Sequence, residues 1–296
     1  MKKNIAMMMA AVMCAAALTA CGSTDANADS STAANNSTVA AETSAEAGTD
    51  SAETAATEGT DAVSAGQAAG TLEEGVLLVG TNAEFPPFEY VGDSGEPEGF
   101  DIALIEAIGE KLGLEVEVQN MEFASLVAAI GTKVDAVIAG MTVTEERQAA
   151  VDFSENYYEA VQSVIVRADS DIKTAADLEN KVIGAQLDTT GNFIADEIPG
   201  AESKAYNKGA DAVNDLINGR IDAVIIDANP AQVFASKFEG KIVALDGADF
   251  EFEPEYYAIA LPKGSDLVEQ VNQALVDLKA DGTFDALVAE YIGGVE

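Results

Sequence analysis

No histidine and no tryptophan occur among the 296 residues, and cysteine appears only twice. The missing histidine removes the commonest general base and the commonest metal ligand together. It excludes Ser-His-Asp and Cys-His nucleophilic chemistry outright. Basic residues are also scarce: 15 Lys and Arg stand against 52 Asp and Glu, for a formal charge of -37. So acidic a chain repels nucleic acid, and no nucleic-acid partner is expected. Beyond the first twenty residues there is no apolar run long enough to cross a bilayer. A channel or permease role for the chain alone is excluded on that ground. No cofactor or metal site is indicated.

The N-terminus reads Met1-Lys2-Lys3, followed by a mostly apolar run from Ile5 to Ala20. Two lysines and about sixteen apolar residues make a secretory signal, short of the roughly 20 residues a membrane span needs. The run ends Leu18-Thr19-Ala20-Cys21-Gly22. This resembles the bacterial lipobox, which implies removal of residues 1–20 and a lipid on Cys21. Cys14 lies inside the signal, so no disulfide is expected in the mature protein, which must rely on its core. From Gly22 to Gly70 the chain is built mainly from Ala, Ser, Thr, Gly, Asn, Asp and Glu, without Lys, Arg or an aromatic residue. It has too little apolar surface to offset its chain entropy. Residues 21–70 are expected to be a disordered acidic tether between the lipid and the folded part.

What the sequence does have is an internal echo. Ile130-Gly-Thr-Lys-Val-Asp-Ala-Val-Ile138 recurs 87 positions later as Ile217-Asn-Gly-Arg-Ile-Asp-Ala-Val-Ile225. Each copy follows an amphipathic stretch, Phe123 to Ile130 and Ala210 to Ile217, then turns and enters a β-branched run. A helix, a tight turn and a buried strand form half of a βαβ unit. Two copies in one register predict two α/β lobes of similar build. Ligands of open α/β sheets lie beyond the carboxyl ends of the strands, which places Gly140 and Asp227 on one cleft. Further strands are predicted at Val76 to Val79, Leu114 to Gln119, Val161 to Arg167, Lys181 to Ala185 and over 255–262. Helices are predicted from Asp101 to Leu112, Asn192 to Glu197, Leu267 to Ala280 and Thr283 to Tyr291.

Several residues suit chemistry in that cleft. Thr144 can cap a helix that opens with Glu145 and Glu146, which suit the helix dipole. Arg147 opposes the dipole, and a bound anion gripped by its paired N–H groups would explain it. Pairing with a surface carboxylate explains it as well. Gln186-Leu-Asp-Thr-Thr-Gly191 is a polar loop whose Thr189 and Thr190 suit either an anion or plain capping. Asp227 ends a buried strand, where a carboxylate needs a partner. A ligand ammonium, an internal lysine or a helix start would each serve. Phe88 reads as core; Phe85 and Phe123 read as walls for a flat ligand.

Taken in order, Thr81-Asn-Ala-Glu-Phe-Pro-Pro-Phe-Glu89, Gly99-Phe-Asp101, Gly140-Met-Thr-Val-Thr-Glu-Glu-Arg147, Val151-Asp-Phe-Ser154, Gln186-Leu-Asp-Thr-Thr-Gly191 and Ala280-Asp-Gly-Thr-Phe284 resemble the polar amino-acid-binding proteins of ABC importers. The resemblance runs from about residue 74 to the end. It implies an α/β fold of the two-lobed, periplasmic-binding-protein type (type II Venus flytrap), with two parallel or mixed sheets joined by two crossover strands. Lobe 1 would span 71–159 and 255–296, lobe 2 160–254, with a hinge near Glu159 and Pro254. Arg147, the Thr142 backbone and hydroxyl, and Thr190 would hold a ligand α-carboxylate, with Thr189 among the ligand-binding residues. Gly140 and Asp227 would hold the α-ammonium, with Met141 beside them. Phe85 and Phe123 would sandwich the ligand, while Asn82 and Gln186 would face its side chain. The implied partners are an L-amino acid, an ABC-type permease and, through the lipid on Cys21, the membrane; the protein would be an extracytoplasmic monomer.

Two departures matter. The family commonly has aspartate where this chain has Asn82, which shifts expectation toward an uncharged or weakly charged ligand, glutamine or cystine ahead of arginine. It usually has glycine where this chain has Asp188, so that loop's backbone is in question. Glu84, Glu122 or Asp188 would have to line the pocket if the ligand were cationic. The same fold resembles cyclohexadienyl dehydratase, for which Glu84 or Glu122 would be the acid, and a nutrient-sensing surface receptor is a further alternative.

Overall fold

In a computed structural model the described residues are 70–293. The signal 1–20, Cys21 and the tether up to residue 69 lie outside them. Two five-strand runs organise the chain. The first is ordered Glu115–Asn120, Val76–Thr81, Ala136–Val137, Ala260–Leu261, Asp152–Phe153; the second Glu202–Tyr206, Val182–Gln186, Ala223–Asp227, Tyr158–Arg167, Ile242–Leu245. In both, the first three strands are parallel and the fourth is antiparallel to its neighbours. The two sheets therefore share one order and one pattern of directions.

The echo in sequence is the seam of each sheet. Asp135 donates its N–H to the Leu78 carbonyl (2.7 Å), and its Oδ2 accepts the Leu78 N–H (2.9 Å). Asp222 does the same to Val182, at 2.8 and 3.0 Å. Each aspartate satisfies both polar groups of a strand residue just before pairing begins, so the β-branched run can enter at a fixed register. The turns that precede them use Gly131 and Gly219 at φ 75° and 70°, which a side chain would disfavour.

The copies differ where the first builds the cleft. Instead of a helix from Phe123 to Ile130 there is a 3₁₀ turn, Phe123–Ser125, and one helical turn, Leu126–Ala129. The expected strand Asp135 to Ala139 pairs only over Ala136–Val137, because the chain leaves the sheet to reach Gly140. Strands Glu202–Tyr206 and Ile242–Leu245 and the helix Ala228–Lys237 had no counterpart in the sequence reading. Asn229-Pro230 reads as a breaker, but Pro230 falls in the first helical turn, where its missing N–H costs nothing. The strand expected over 255–262 is two: Pro254–Tyr257 and Ala260–Leu261.

Tyr158–Arg167 and Pro254–Tyr257 carry the chain between the sheets. They run antiparallel, with Pro254 opposite Val161 and Tyr257 opposite Tyr158. An aromatic cluster packs beneath them. Phe88 and Tyr257 meet edge-on with centroids 5.3 Å apart, and Phe100 and Tyr157 extend the contact. Phe88 and Tyr257 are fully buried, so the floor of the cleft is rigid packing.

Candidate ligand-binding site

A small, largely enclosed cavity lies between the strand ends of the two sheets. It is lined from the first-sheet side by Asn82, Phe85, Glu89, Phe123, Ala139, Gly140, Thr142 and Arg147, and from the second by Gln186, Thr189, Thr190 and Asp227. Of the ligand-site residues expected from sequence, only Met141 is absent from the lining. Its side chain is fully buried among Leu126, Val137 and Val151, and its carbonyl accepts the Ala258 N–H. It packs behind the site.

Arg147 and Asp227 are each only 8% exposed. The Thr144 hydroxyl caps the short helix Glu145–Ala150 by accepting the Arg147 N–H. The guanidinium turns back to donate to the Thr142 carbonyl (2.7 Å) and across the cleft to the Asp188 carbonyl (2.7 Å). It lies over the Phe123 ring, 5.3 Å from the centroid. Only two of its five N–H donors are spent on these carbonyls. Asp188 takes φ 63°, so the residue in glycine's place keeps a conformation glycine favours. Arg147 is thus a buried cation with no carboxylate side chain paired to it among the described residues.

Asp227 stands opposite, at the start of helix Ala228–Lys237, and its Oδ1 accepts the Tyr257 hydroxyl at 2.5 Å. Burial, and then the Glu255 carboxylate nearby, push its pKa up to about 7. Burial lowers the pKa of Arg147, against the fields of Glu255, Asp188 and Asp227, but a guanidinium remains a cation. Gly140 holds φ 50°, and a Cβ there would lie 2.7 Å from the Phe85 ring. The absence of a side chain lets the ring cover the backbone. The Gly140 N–H is donated to Asp101 Oδ2 at 2.8 Å.

The amides expected to face a ligand side chain are engaged with each other. Gln186 Nε2 donates to Asn82 Oδ1 (2.8 Å) and to the Asn207 carbonyl, while Asn82 Nδ2 donates to the Met121 carbonyl. Glu84 and Glu122 line a separate polar groove, where Glu84 pairs with Lys208. Asp188 lies in another groove behind Arg147. The carboxyl that lines the cavity besides Asp227 is Glu89, which the sequence did not single out. It is fully buried, and its side-chain partner among the described residues is the Asp101 carboxyl, with which it can share one proton. Burial first, then the neighbouring Asp101, raise its pKa well above the usual carboxylate range. Asp101 itself is pushed up to about 6 by burial, although the Gly140 N–H and the Tyr157 hydroxyl oppose the shift.

Two sheets of one topology, two crossover strands and a charged cavity between them define a two-lobed solute-binding protein. Residues 77–294 match the profile of the bacterial extracellular solute-binding proteins, family 3, and the chain belongs to that family. It is 34% identical over 226 residues to the arginine-binding extracellular protein ArtP of Bacillus subtilis (strain 168), covering 74% of this chain and 86% of that one. It is 30% identical to the L-cystine-binding protein TcyJ of Escherichia coli (strain K12), covering 75% and 84%. Among solved structures, an ancestral arginine-binding protein bound to arginine matches with a TM-score of 0.71 and 38% identity, over 74% of this chain and 99% of that one.

Proposed function

We propose that this protein captures an L-amino acid between its lobes and delivers it to an ABC-type permease, held at the outer face of the membrane by a lipid on Cys21. The observation that carries the reading is a buried cation and a buried carboxyl, Arg147 and Asp227, lining one cavity from different sheets. A zwitterion's backbone end demands one of each. Arg147 with the Thr142 and Thr190 N–H groups takes the α-carboxylate; Asp227 with the Gly140 carbonyl takes the α-ammonium; Phe85 and Phe123 flank the side chain. Both halves of the site come from one chain, so a monomer suffices. The site is non-catalytic in this reading, and Glu84 and Glu122, the two acids the sequence offered for an elimination, lie in another groove.

Glu89 supports a choice of ligand class. Two buried carboxyls side by side, Glu89 in the cavity and Asp101 behind it, leave a negative charge that a donor-rich group can displace a proton to meet, and Asn82 and Gln186 already satisfy each other. This moves the ligand from the neutral amino acids expected on Asn82 toward a cationic one, L-arginine first. The names of ArtP and of the arginine-bound ancestral protein support that choice, and the name of TcyJ supports the neutral class. In a thermal-shift screen of the twenty amino acids, L-arginine should raise the melting temperature most. A larger shift with glutamine or cystine would return the ligand to the neutral class, and no shift with any would end the capture reading. For the anchor, Cys21→Ser should move the protein out of the membrane fraction; membrane retention of that variant excludes it.

A further inference from the structure

Glu255 lies on the crossover strand Pro254–Tyr257 and does not line the cavity. Its Oε2 accepts the Thr142 hydroxyl at 2.7 Å, the Thr190 hydroxyl at 2.7 Å and, more weakly, Gln162 Nε2 at 3.4 Å. Thr142 comes from the first-sheet side and Thr190 from the N-terminus of helix Thr190–Glu197 on the second. Gln162, on the partner crossover strand, also donates to Thr190 Oγ1 at 3.2 Å and is fully buried. One carboxylate oxygen thus joins both sides of the cleft through a strand that belongs to neither sheet's parallel core. Glu255 makes no ion pair with Arg147, whose described bonds go to the Thr142 and Asp188 carbonyls.

We propose that Glu255 is a positioning residue for the carboxylate half of the site. It fixes the rotamers of Thr142 and Thr190, so that the backbone N–H groups of both residues, from opposite lobes, meet at one point. A hydroxyl that donates to Glu255 has no proton left for a ligand. The threonines therefore serve the ligand through their main chain, and their side chains serve alignment. The carboxylate suits this because it accepts several hydrogen bonds at once and offers no donor of its own. Charged acceptors also give the stronger bonds. This assignment rests on the amino-acid-capture reading.

The test is calorimetry with L-arginine on the wild type, Glu255→Ala, Glu255→Gln, Thr142→Val/Thr190→Val and the triple variant carrying Glu255→Ala. Glu255→Ala should bind about tenfold more weakly. Glu255→Gln keeps an acceptor oxygen and should stay within about threefold of wild type. The triple variant should bind no more weakly than the threonine pair, because coupled residues are non-additive. Additive losses would place the action of Glu255 elsewhere. A Glu255→Ala protein that binds as tightly as wild type, or tighter, would make the residue idle or a competitor; either result overturns the proposal. So does a Glu255→Gln loss as large as that of alanine, which would assign the effect to charge. If wild type takes up no amino acid, the capture reading itself fails and takes this assignment with it.

Discussion

Arg147→Ala is expected to weaken amino-acid capture by roughly 30-fold or more, and Asp227→Ala by a similar factor. The reason is the asymmetry of buried charge. A ligand carboxylate or ammonium desolvated in the closed cleft and left without its counter-ion costs about 2–5 kcal/mol. Arg147 has a second effect, because its guanidinium also ties the Thr142 carbonyl to the Asp188 carbonyl across the cleft. Both variants should still melt cooperatively, since the apolar clusters and the sheet registers do not pass through either side chain. Calorimetry with the ligand found by screening decides it, with melting curves as control. The same titrations at two pH values test the sign of the electrostatics. Asp227 is raised to about 7 in the protein alone, above the roughly 3.9 of an unfolded chain. Its protonated form is favoured below 7, so an incoming ammonium must expel a proton there. Affinity should rise by at most about tenfold per pH unit from 5 toward 7 and level off above, and Asp227→Asn should flatten that slope. For the folded protein without ligand the linkage has the opposite sense. This carboxyl's contribution to stability is full below the unfolded pKa and is lost as pH rises through 7. Near-native affinity in either alanine variant would remove the clamp.

The architecture was legible because it is written twice. The Asp135 and Asp222 runs make the same two bonds to the strand beside them, and a pattern that must satisfy the same backbone groups keeps its register in sequence. Arg147 was legible because it breaks a local rule: a cation in a first helical turn needs a reason, and the reason lies across the cleft. The partner of Asn82 was not legible. Its amide carries polarity at a ligand position, but its bond to Gln186 forms only when residues 104 apart in sequence meet. Glu89 was missed for the opposite reason. It follows Phe88 and opens the short strand Glu89–Val91, in which an acidic residue beside an apolar one reads as the solvated face. Here both neighbours face inward, because the strand lies under Phe85 and against Asp101. The one trace in the sequence is a second acid, Asp101, behind an apolar residue in Gly99-Phe-Asp101; two carboxylates held near one cleft signal a proton or a cation.

Glu89→Gln is therefore expected to change which ligand binds rather than whether one binds. For a cationic ligand the variant removes the only carboxyl lining the cavity besides Asp227 among the described residues. The guanidinium would then be buried against a neutral amide, at a cost of about 2–5 kcal/mol, or roughly 30-fold and more in affinity. For L-glutamine the loss should be small, because an amide side chain can exchange hydrogen bonds with the introduced amide and brings no charge to be paired. Glu89 is held well above its usual pKa by burial and by Asp101, so a guanidinium arriving beside it must displace a proton. Calorimetry of L-arginine binding in buffers of different ionisation enthalpy should show proton release in the wild type, reduced in the variant. The ratio of L-arginine to L-glutamine affinity is the decisive quantity, since it cancels any general damage to the clamp. An unchanged ratio would mean that the buried Glu89–Asp101 pair stays protonated beneath the ligand. Specificity would then belong to the aromatic walls and to the amides of Asn82 and Gln186.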